Sequence, residues 1–308
     1  MTDNLSSSLS VKLLDEIKLR VLLADGAMGT QLQKHGIEPG GSGEKWNIEK
    51  PDSIFLIQNE YVKAGSDCLL TNTFGASRIM LERHDLAEHV EKINMAGVNL
   101  ARKSFGDKPG FVLGDIGPFG GLMEPYGDIS QEDVFKTFSE QAHALQKSGV
   151  DAIIIETQTA LEEIKLAIQA AKDAKALCVI ASMAFDLNKD GKDVRTMMGV
   201  KVEQAAETLQ NAGADILSIN CGTGVNMKWA AKILKRFSEI SDLPLMAKPN
   251  NGLPELVNME VVYGQSPEEM VIGLEDVLEA GVSIIGGCCG TTPHHIGMMR
   301  TIIDKWNN

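Results

Sequence analysis

The segment of this chain with the clearest chemical potential is IIGGCCGTTPHHI, residues 284–296. Cys288 and Cys289 are adjacent, glycines lie on both sides of them, and His294 and His295 follow shortly after. Neighbouring cysteines are poorly placed for an ordinary structural disulfide. They could be a redox pair, ligands of a metal ion or two buried thiols, with a strained disulfide between them as a further alternative. The position of the segment in the fold must decide among these.

Away from this segment, the chain alternates between short apolar runs and stretches with helical periodicity. A helical stretch such as SPEEMVIGLEDVLEAG, residues 266–281, lies between most of these runs, and several such stretches end in a glycine, as helix C-termini often do. Eight runs are therefore predicted to be strands. They are VLLADG from Val21, DCLLTNTF from Asp67, FVLGDIGP from Phe111, DAIIIETQ from Asp151, LCVIASMAF from Leu177, ADILSINCG from Ala214, LPLMAKPN from Leu243 and VSIIGGCCG from Val282.

The pattern of these strands favours a closed parallel barrel. Apolar runs without alternation indicate strands that are buried on both faces, as in a parallel sheet. Eight strand–helix units fit a (β/α)8 TIM barrel better than an open sheet, and no glycine-rich dinucleotide fingerprint follows the first strand. The predicted fold is α/β, with a single barrel at residues 20–308 and a short N-terminal extension with one helix at residues 1–19.

Polar and metal-binding side chains collect at one end of the predicted strands. In a (β/α)8 barrel, functional groups come from the C-terminal ends of the strands and the loops that follow. Buried polar groups are costly unless they are paired or functional, so a set of this size indicates a site. The residues concerned are Asp25, Asn72, Asp115, Glu156, Cys221, Asn250, Cys288 and Cys289.

Three of these residues predict a zinc site. Cys221, Cys288 and Cys289 would meet at the barrel mouth, and three thiolates match a zinc ion that keeps one position for a substrate. The neighbouring glycines allow the sharp bend that two adjacent ligands need. By contrast, Cys68 and Cys178 fall at strand starts and are predicted to be small buried side chains.

The two histidines of the segment are predicted to be structural. Pro293 is expected to open a helix, which would place His294 and His295 in its first turn. There they could cap the helix or contact the mouth, and they are not included among the zinc ligands.

A zinc ion with three thiolate ligands suits the activation of an incoming thiol, because zinc lowers the pKa of the thiol and the thiolate is the nucleophile. Asp25 and Glu156 could hold the ammonium group of such a substrate. The alternatives are a salt bridge inside the barrel for Glu156 and a turn-capping role for Asp25.

Composition limits the partners. The formal net charge of −13 argues against nucleic acid and anionic membranes. No apolar stretch is long enough for a membrane helix, and the polar N-terminus lacks a signal sequence, so a cytoplasmic location is expected. Five cysteines in 308 residues are not a disulfide framework.

At this level of detail the chain resembles the homocysteine S-methyltransferase family, and it looks most like the homocysteine-binding domain of cobalamin-dependent methionine synthase. The matching segments appear in family order and span roughly residues 20–305. They are LLADGAMGTQLQKHG, AGSDCLLTNTFGASR, GDIGPFG, IIIETQT, SINCGTG, KPNNGLP and IIGGCCGTTPHHI.

The resemblance implies a zinc-dependent methyltransferase of methionine biosynthesis. It implies Zn2+ on Cys221, Cys288 and Cys289, with the homocysteine sulfur as fourth ligand. Asp25 and Glu156 would bind the amino group of homocysteine, and backbone amides near Gly26 and Gly287 would bind its carboxylate. The remaining substrate-binding residues that it implies are Asn72, Thr73, Phe74 and Asn220.

The methyl donor is the open point of this resemblance. Betaine-using members box the quaternary ammonium of betaine with aromatic residues, whereas here Gly75 and Thr157 stand where they carry tyrosines. Trp46 could supply one face, which is not a cage. The resemblance therefore favours methylcobalamin, and because the chain contains no DxHxxG corrinoid motif, the donor is predicted to arrive on a separate corrinoid protein.

Three alternatives stay open. The segment GTGVNMK after INC departs from the methionine synthase pattern, which has a serine there. The chain could thus be the methyltransferase subunit of a multi-component corrinoid system with a different thiol. It could use S-methylmethionine or betaine as donor. It could also be a non-catalytic barrel that binds zinc or an amino acid. The oligomeric state is not predicted.

Overall fold

The barrel strands of the computed structural model coincide with the predicted runs. The structure describes residues 13–257 and 260–308. The strands are β1 Leu22–Leu23, β2 Cys68–Leu70, β3 Phe111–Ile116, β4 Ala152–Gln158, β5 Val179–Met183, β6 Asp186–Leu187, β7 Val194–Arg195, β8 Ile216–Asn220, β9 Leu245–Lys248, β10 Pro254–Val257, β11 Glu260–Tyr263 and β12 Val282–Ile285.

Helices connect these strands, and their ends follow local sequence signals. The hydroxyl of Ser130 and the side-chain oxygen of Asn226 accept hydrogen bonds from backbone amides at the starts of two of the longest helices. The helices are α1 Gly29–Lys34, α2 Trp46–Glu49, α3 Pro51–Lys63, α4 Arg78–Glu82, α5 Val90–Phe105, α6 Gln131–Lys147, α7 Leu161–Asp173, α8 Val202–Ala212, α9 Met227–Ser238, α10 Pro267–Met270, α11 Leu274–Glu279 and α12 Pro293–Asn307.

Eight parallel strands form one sheet in the order β1-β12-β9-β8-β5-β4-β3-β2. A parallel bridge between Ala24 and Cys68 joins the two ends of this sheet. Asp67 strengthens the junction, because its amide donates to the Leu23 carbonyl at 2.6 Å and its carboxylate accepts from the Leu23 amide at 2.8 Å. The predicted (β/α)8 TIM barrel is confirmed.

The lower half of the barrel interior is an apolar cluster. Its members alternate along the strands, as expected when every second side chain points inward. Leu13 and Ile17, from the segment before β1, pack against it at the N-terminal end of the strands. Cys68 and Cys178 belong to this cluster and are completely buried, as predicted. The barrel is therefore filled below its mouth.

A larger apolar layer lies between the strands and the helices that surround them. It takes the outward-facing residues of the strands, such as Ile153 and Ile155 of β4, and the inner faces of the helices. Strands buried on both faces explain why the sequence shows apolar runs rather than alternation.

Two antiparallel hairpins, β6–β7 and β10–β11, were not predicted. They follow β5 and β9, so both extend the loops at the C-terminal end of the barrel. Of the predicted N-terminal extension, residues 1–12 lie outside the described residues, and residues 13–16 form a helical turn.

Candidate metal and substrate site

The structure brings the three predicted cysteines together. The sulfur atoms of Cys221, Cys288 and Cys289 all lie within 4.8 Å of one another, and the last two are 3.9 Å apart. In a tetrahedral zinc site with Zn–S bonds of about 2.3 Å, neighbouring sulfurs are about 3.8 Å apart. The donor set and its spacing therefore fit a zinc ion with one position left for a further ligand.

Backbone bends point these sulfurs inward. Cys221 has a φ of 56° and Gly222 a φ of 81°, both in the left-handed region. A Cβ atom at residue 222 would lie 1.9 Å from the carbonyl oxygen of Phe185, so only glycine fits. At the other ligands, the Cys288 amide donates to the Pro249 carbonyl at 2.9 Å, and the Cys289 amide donates to Oδ1 of Asn250 at 3.1 Å.

The surroundings of Cys221 favour its thiolate form. Hydrogen bonds from the thiols of Cys288 and Cys289 lower the pKa of Cys221 far below its ordinary value, and donating them raises the pKa of both partners. The amide nitrogen of Asn250 also donates to Cys221 at 3.6 Å, and that of Asn220 lies 3.9 Å from the Cys288 sulfur. The hydrogen bonds thus favour a thiolate at Cys221, and three adjacent thiolates would repel one another without a bound cation.

Beside the sulfurs lies a layer of buried charged side chains, formed by Asp25, Asp115, Glu156 and Lys248. The ammonium of Lys248 pairs with Oδ1 of Asp25 at 2.5 Å. The other oxygen of Asp25 accepts from the Leu70 amide at 2.8 Å. Asp25 is thus fixed between two strands, and its charge is matched within the layer.

The other two acids of the layer make no side-chain hydrogen bond within the described part of the chain. Burial raises the pKa of Asp115 well above its ordinary range, and the neighbouring Glu156 adds to that effect. Burial also raises the pKa of Glu156 to about 7, against the attraction of Lys248. Burial lowers the pKa of Lys248, but the carboxylates of Asp25 and Glu156 outweigh it and hold that pKa above the ordinary value.

The predicted substrate residues after β2 mostly bind other parts of the protein. Asn72 donates from Nδ2 to the Gly43 carbonyl at 2.8 Å, and the Thr73 hydroxyl donates to the Asp115 carbonyl at 2.7 Å. Phe74 is half-buried. Asn220 holds β4 to β8, since its Nδ2 donates to the Thr157 hydroxyl at 2.7 Å and its Oδ1 accepts from the Thr157 amide at 2.8 Å.

The predicted carboxylate-binding glycines lie where side chains do not fit. A Cβ atom at Gly26 would be 2.6 Å from the Thr291 hydroxyl, and one at Gly287 would be 2.5 Å from the Thr291 methyl group. The Gly287 amide donates to the Asp25 carbonyl at 3.0 Å, so a ligand would have to replace that partner.

The histidines have the predicted structural positions. Pro293 is the first residue of α12, and Nδ1 of His295 lies 2.8 Å from the Thr292 hydroxyl in a capping box. The other ring nitrogen of His295 lies 3.2 Å from the Gln265 carbonyl, while His294 is exposed.

Trp46 is buried, and the ammonium of Lys50 lies 4.0 Å from its ring centroid. A cation of the protein itself thus already faces this ring. That arrangement gives no support to a betaine cage around Trp46.

Sequence reasoning missed Lys248, which is the last residue of β9 and the first residue of the KPN segment. It also missed Ser182, whose hydroxyl donates to Oδ1 of Asn220 at 2.7 Å. The two-residue period of the strands could have identified both. Met246 of β9 points into the barrel, and Lys248 follows two residues later. Ile180 and Ser182 have the same relation on β5.

The comparison with known protein families decides the classification. The sequence pattern described as "Homocysteine S-methyltransferase" matches residues 22–303. The chain belongs to the homocysteine S-methyltransferase family.

Solved structures share the fold of this chain. The homocysteine methyltransferase MmuM from Escherichia coli, in its metallated form, superposes with a TM-score of 0.76 at 23% sequence identity, covering 95% of this chain and 99% of that one. Its oxidized form gives a TM-score of 0.77. At this identity the likeness establishes the fold alone.

Sequence relatives of this homocysteine S-methyltransferase family member include much longer proteins. Methionine synthase from Mycobacterium tuberculosis is 31% identical over 92% of this chain, and that from Mycobacterium leprae is 30% identical over 96%. In both cases the chain spans about a quarter of the length of the relative, 25%. Within residues 13–257 and 260–308, no helix has the length and apolar character needed to cross a bilayer.

Proposed function

We propose that this protein transfers a methyl group to the sulfur of homocysteine and so forms methionine. The observation that carries this proposal is the set of three converging cysteine sulfurs beside a layer of buried acids. Zinc bound to Cys221, Cys288 and Cys289 would hold the substrate sulfur as a thiolate, the form that attacks a methyl donor. Family membership supports homocysteine as the thiol.

The residues of the chain have separate tasks in this proposal. Asp25 and Glu156 are the acids of the amino-acid site, and the backbone near Gly26 receives the carboxylate. Asn220 and Asn250 orient the sulfur ligands through their amide groups. Phe74 lines the mouth, while Asn72 and Thr73 hold the loops around it.

We propose methylcobalamin, carried by a separate corrinoid protein, as the methyl donor. Support comes from the relatives named methionine synthase and from Lys50, which covers the Trp46 ring that a betaine cage would use. S-methylmethionine and betaine are the competing donors, and assays with each donor and zinc-loaded protein would distinguish them by the amount of methionine formed.

The zinc assignment is tested by the Cys221→Ala variant. We expect one zinc per chain in the wild type, measured by elemental analysis, and a proton released when homocysteine is titrated in. The variant should lose most of its zinc and its thiol binding, because two thiolates bind zinc much more weakly than three. Its circular dichroism spectrum should stay that of a folded barrel.

Cys178→Ala is the matched control, because it removes a cysteine from the apolar interior, away from the site. It should be less stable but keep its zinc. Full zinc content and thiol binding in Cys221→Ala would contradict the three-cysteine site. Zinc without homocysteine binding in the wild type would contradict the substrate.

A further inference from the structure

The buried layer contains two acceptor atoms that the protein itself does not satisfy. Oδ1 of Asp115 and Oε2 of Glu156 are buried and have no hydrogen-bond partner among the described residues. The two residues are only 5% and 7% exposed. Buried acceptors without a partner are rare in proteins because they are costly. Here they indicate that a donor is supplied from outside the chain.

The two carboxyl groups face the same space. In the register of β3 and β4, Asp115 lies opposite Ile154, so Glu156 is two residues further along the neighbouring strand on the same face. Side chains in this diagonal relation are within reach of one another. A single group with several hydrogen-bond donors can therefore meet both.

The charges in the layer specify what that group must be. Lys248 forms its ion pair with Asp25, whose second oxygen is also occupied, so this acid is already balanced. Asp115 and Glu156 remain without a counterion within 4.0 Å among the described residues. In their ionised form both carboxylates only accept hydrogen bonds, which excludes a ligand that offers only anionic groups and favours an ammonium group.

We propose that Asp115 is a specificity-determining residue that receives the substrate ammonium together with Glu156. Asp25, the other acid of the amino-acid site, already has Lys248 as its counterion. This inference rests on the proposed function, and it assigns the recognition of an amino-acid thiol to a residue that lies on a different strand from any of the sulfur ligands.

The test compares homocysteine with 4-mercaptobutyrate, which has the same carbon chain, thiol and carboxylate but no amino group. Dissociation constants for both thiols would be measured by calorimetry on zinc-loaded wild type, Asp115→Asn and Asp115→Ser. Loss of a hydrogen bond to a charged group weakens binding about 10- to 100-fold. We expect that loss for homocysteine in both variants and little change for 4-mercaptobutyrate.

Ser218→Ala is the matched control, since the buried Ser218 hydroxyl also has no partner among the described residues but lies on β8, which does not adjoin β3 or β4. It should keep the wild-type preference for homocysteine. Zinc content of each variant shows that the site is intact. A wild-type preference that survives both Asp115 variants would overturn this inference and leave the proposed function standing. A wild type without preference for homocysteine would overturn both.

Discussion

Glu156 is the residue whose protonation most directly links this site to pH. Burial raises its pKa to about 7. A protonated carboxyl has no charge to offer an ammonium group, so binding of an amino-acid thiol requires its ionised form. Below neutral pH, the proton must leave before the substrate is held.

We therefore expect two pH ranges in the affinity for homocysteine. The thiol, with an ordinary pKa of about 8.5, loses one proton on binding at lower pH. The dissociation constant should rise about tenfold for each pH unit below that value, and more steeply below about pH 7, where Glu156 also takes up a proton. Calorimetric titrations of zinc-loaded protein between about pH 6 and pH 8.5 would measure both slopes.

Glu156→Gln should bind homocysteine more weakly and lose the steepening that Glu156 contributes, which leaves the thiol slope and the contribution of Asp115, whose pKa burial also raises. The matched measurement is the binding of 4-mercaptobutyrate to the wild type. Because this thiol has no ammonium group, its dissociation constant should show only the thiol slope. A wild-type curve for homocysteine without steepening near neutral pH would contradict the role given to Glu156.

At the scale of single residues, the sequence predicted the three sulfur ligands and, in addition, Asp25 and Glu156 as site residues. It did not predict the ion pair and the unpaired acids of the buried layer. The strand-end position of each residue is visible in the pattern of apolar runs. Lys248 was overlooked because lysine is seldom fully buried, and KPN after a strand suggests a solvated turn. Its pairing with Asp25 depends on two segments more than 200 residues apart, which no local pattern records.

At the scale of secondary structure, the turn after β8 is the element that sets the sulfur geometry. Cys221 and Gly222 both adopt left-handed backbone conformations, directly after a regular strand. Such a conformation is unfavourable for a cysteine, and it persists because the hydrogen bonds around Asn250 hold it. The strain is located at a predicted metal ligand.

The Gly222→Ala variant should therefore weaken zinc binding while the barrel stays folded. The added methyl group would meet the Phe185 carbonyl at 1.9 Å, which forces the turn and Cys221 to move. We expect zinc affinity to fall at least about tenfold and the free energy of unfolding to fall by about 1–3 kcal/mol. Competition with a chromogenic chelator and urea denaturation would measure these changes.

Gly149→Ala is the matched control for this variant. Gly149 has a φ of 82°, almost the same as Gly222, but nothing lies within 4 Å of its Cβ position. This variant should lose stability and keep its zinc affinity. Equal zinc affinity in both variants would show that the turn does not position Cys221.

The eight barrel strands were predictable because each is a run buried on both faces, and the barrel followed from their number. The hairpins β6–β7 and β10–β11 were not, because short strands such as Asp186–Leu187 carry neither an apolar run nor a clear alternation. Their pairing depends on the loops that follow β5 and β9 in the assembled barrel.

For the whole molecule, the buried acids couple stability to pH. A carboxyl whose pKa is raised in the folded state binds its proton more tightly there than in the unfolded chain. Its contribution is fully present below the ordinary pKa and is lost as pH rises through the folded value. For Glu156 this range runs from 4.5 to about 7.

In the zinc-free protein, wild type should accordingly lose stability relative to Glu156→Gln between about pH 5.5 and about pH 8. At about 1.4 kcal/mol per pKa unit, the rise from 4.5 to about 7 corresponds to about 3.5 kcal/mol, of which about 2 kcal/mol is lost between the two pH values. Thermal unfolding of wild type and Glu156→Gln at both pH values would measure it. The variant should be the more stable protein at the higher pH and similar to wild type at the lower one, and identical curves at both would contradict this assignment.

The apolar cluster that fills the barrel below the site, with Leu13 and Ile17 packed against its lower end, has a kinetic consequence. Under the proposed function, substrate and product would share the entrance at the mouth, and the methyl donor would approach through the same opening. If the donor is a protein, it covers that entrance while the methyl group is transferred. Under the proposed function, homocysteine would then bind before the donor arrives and methionine would leave only after the donor has departed, an order that follows from the filled barrel.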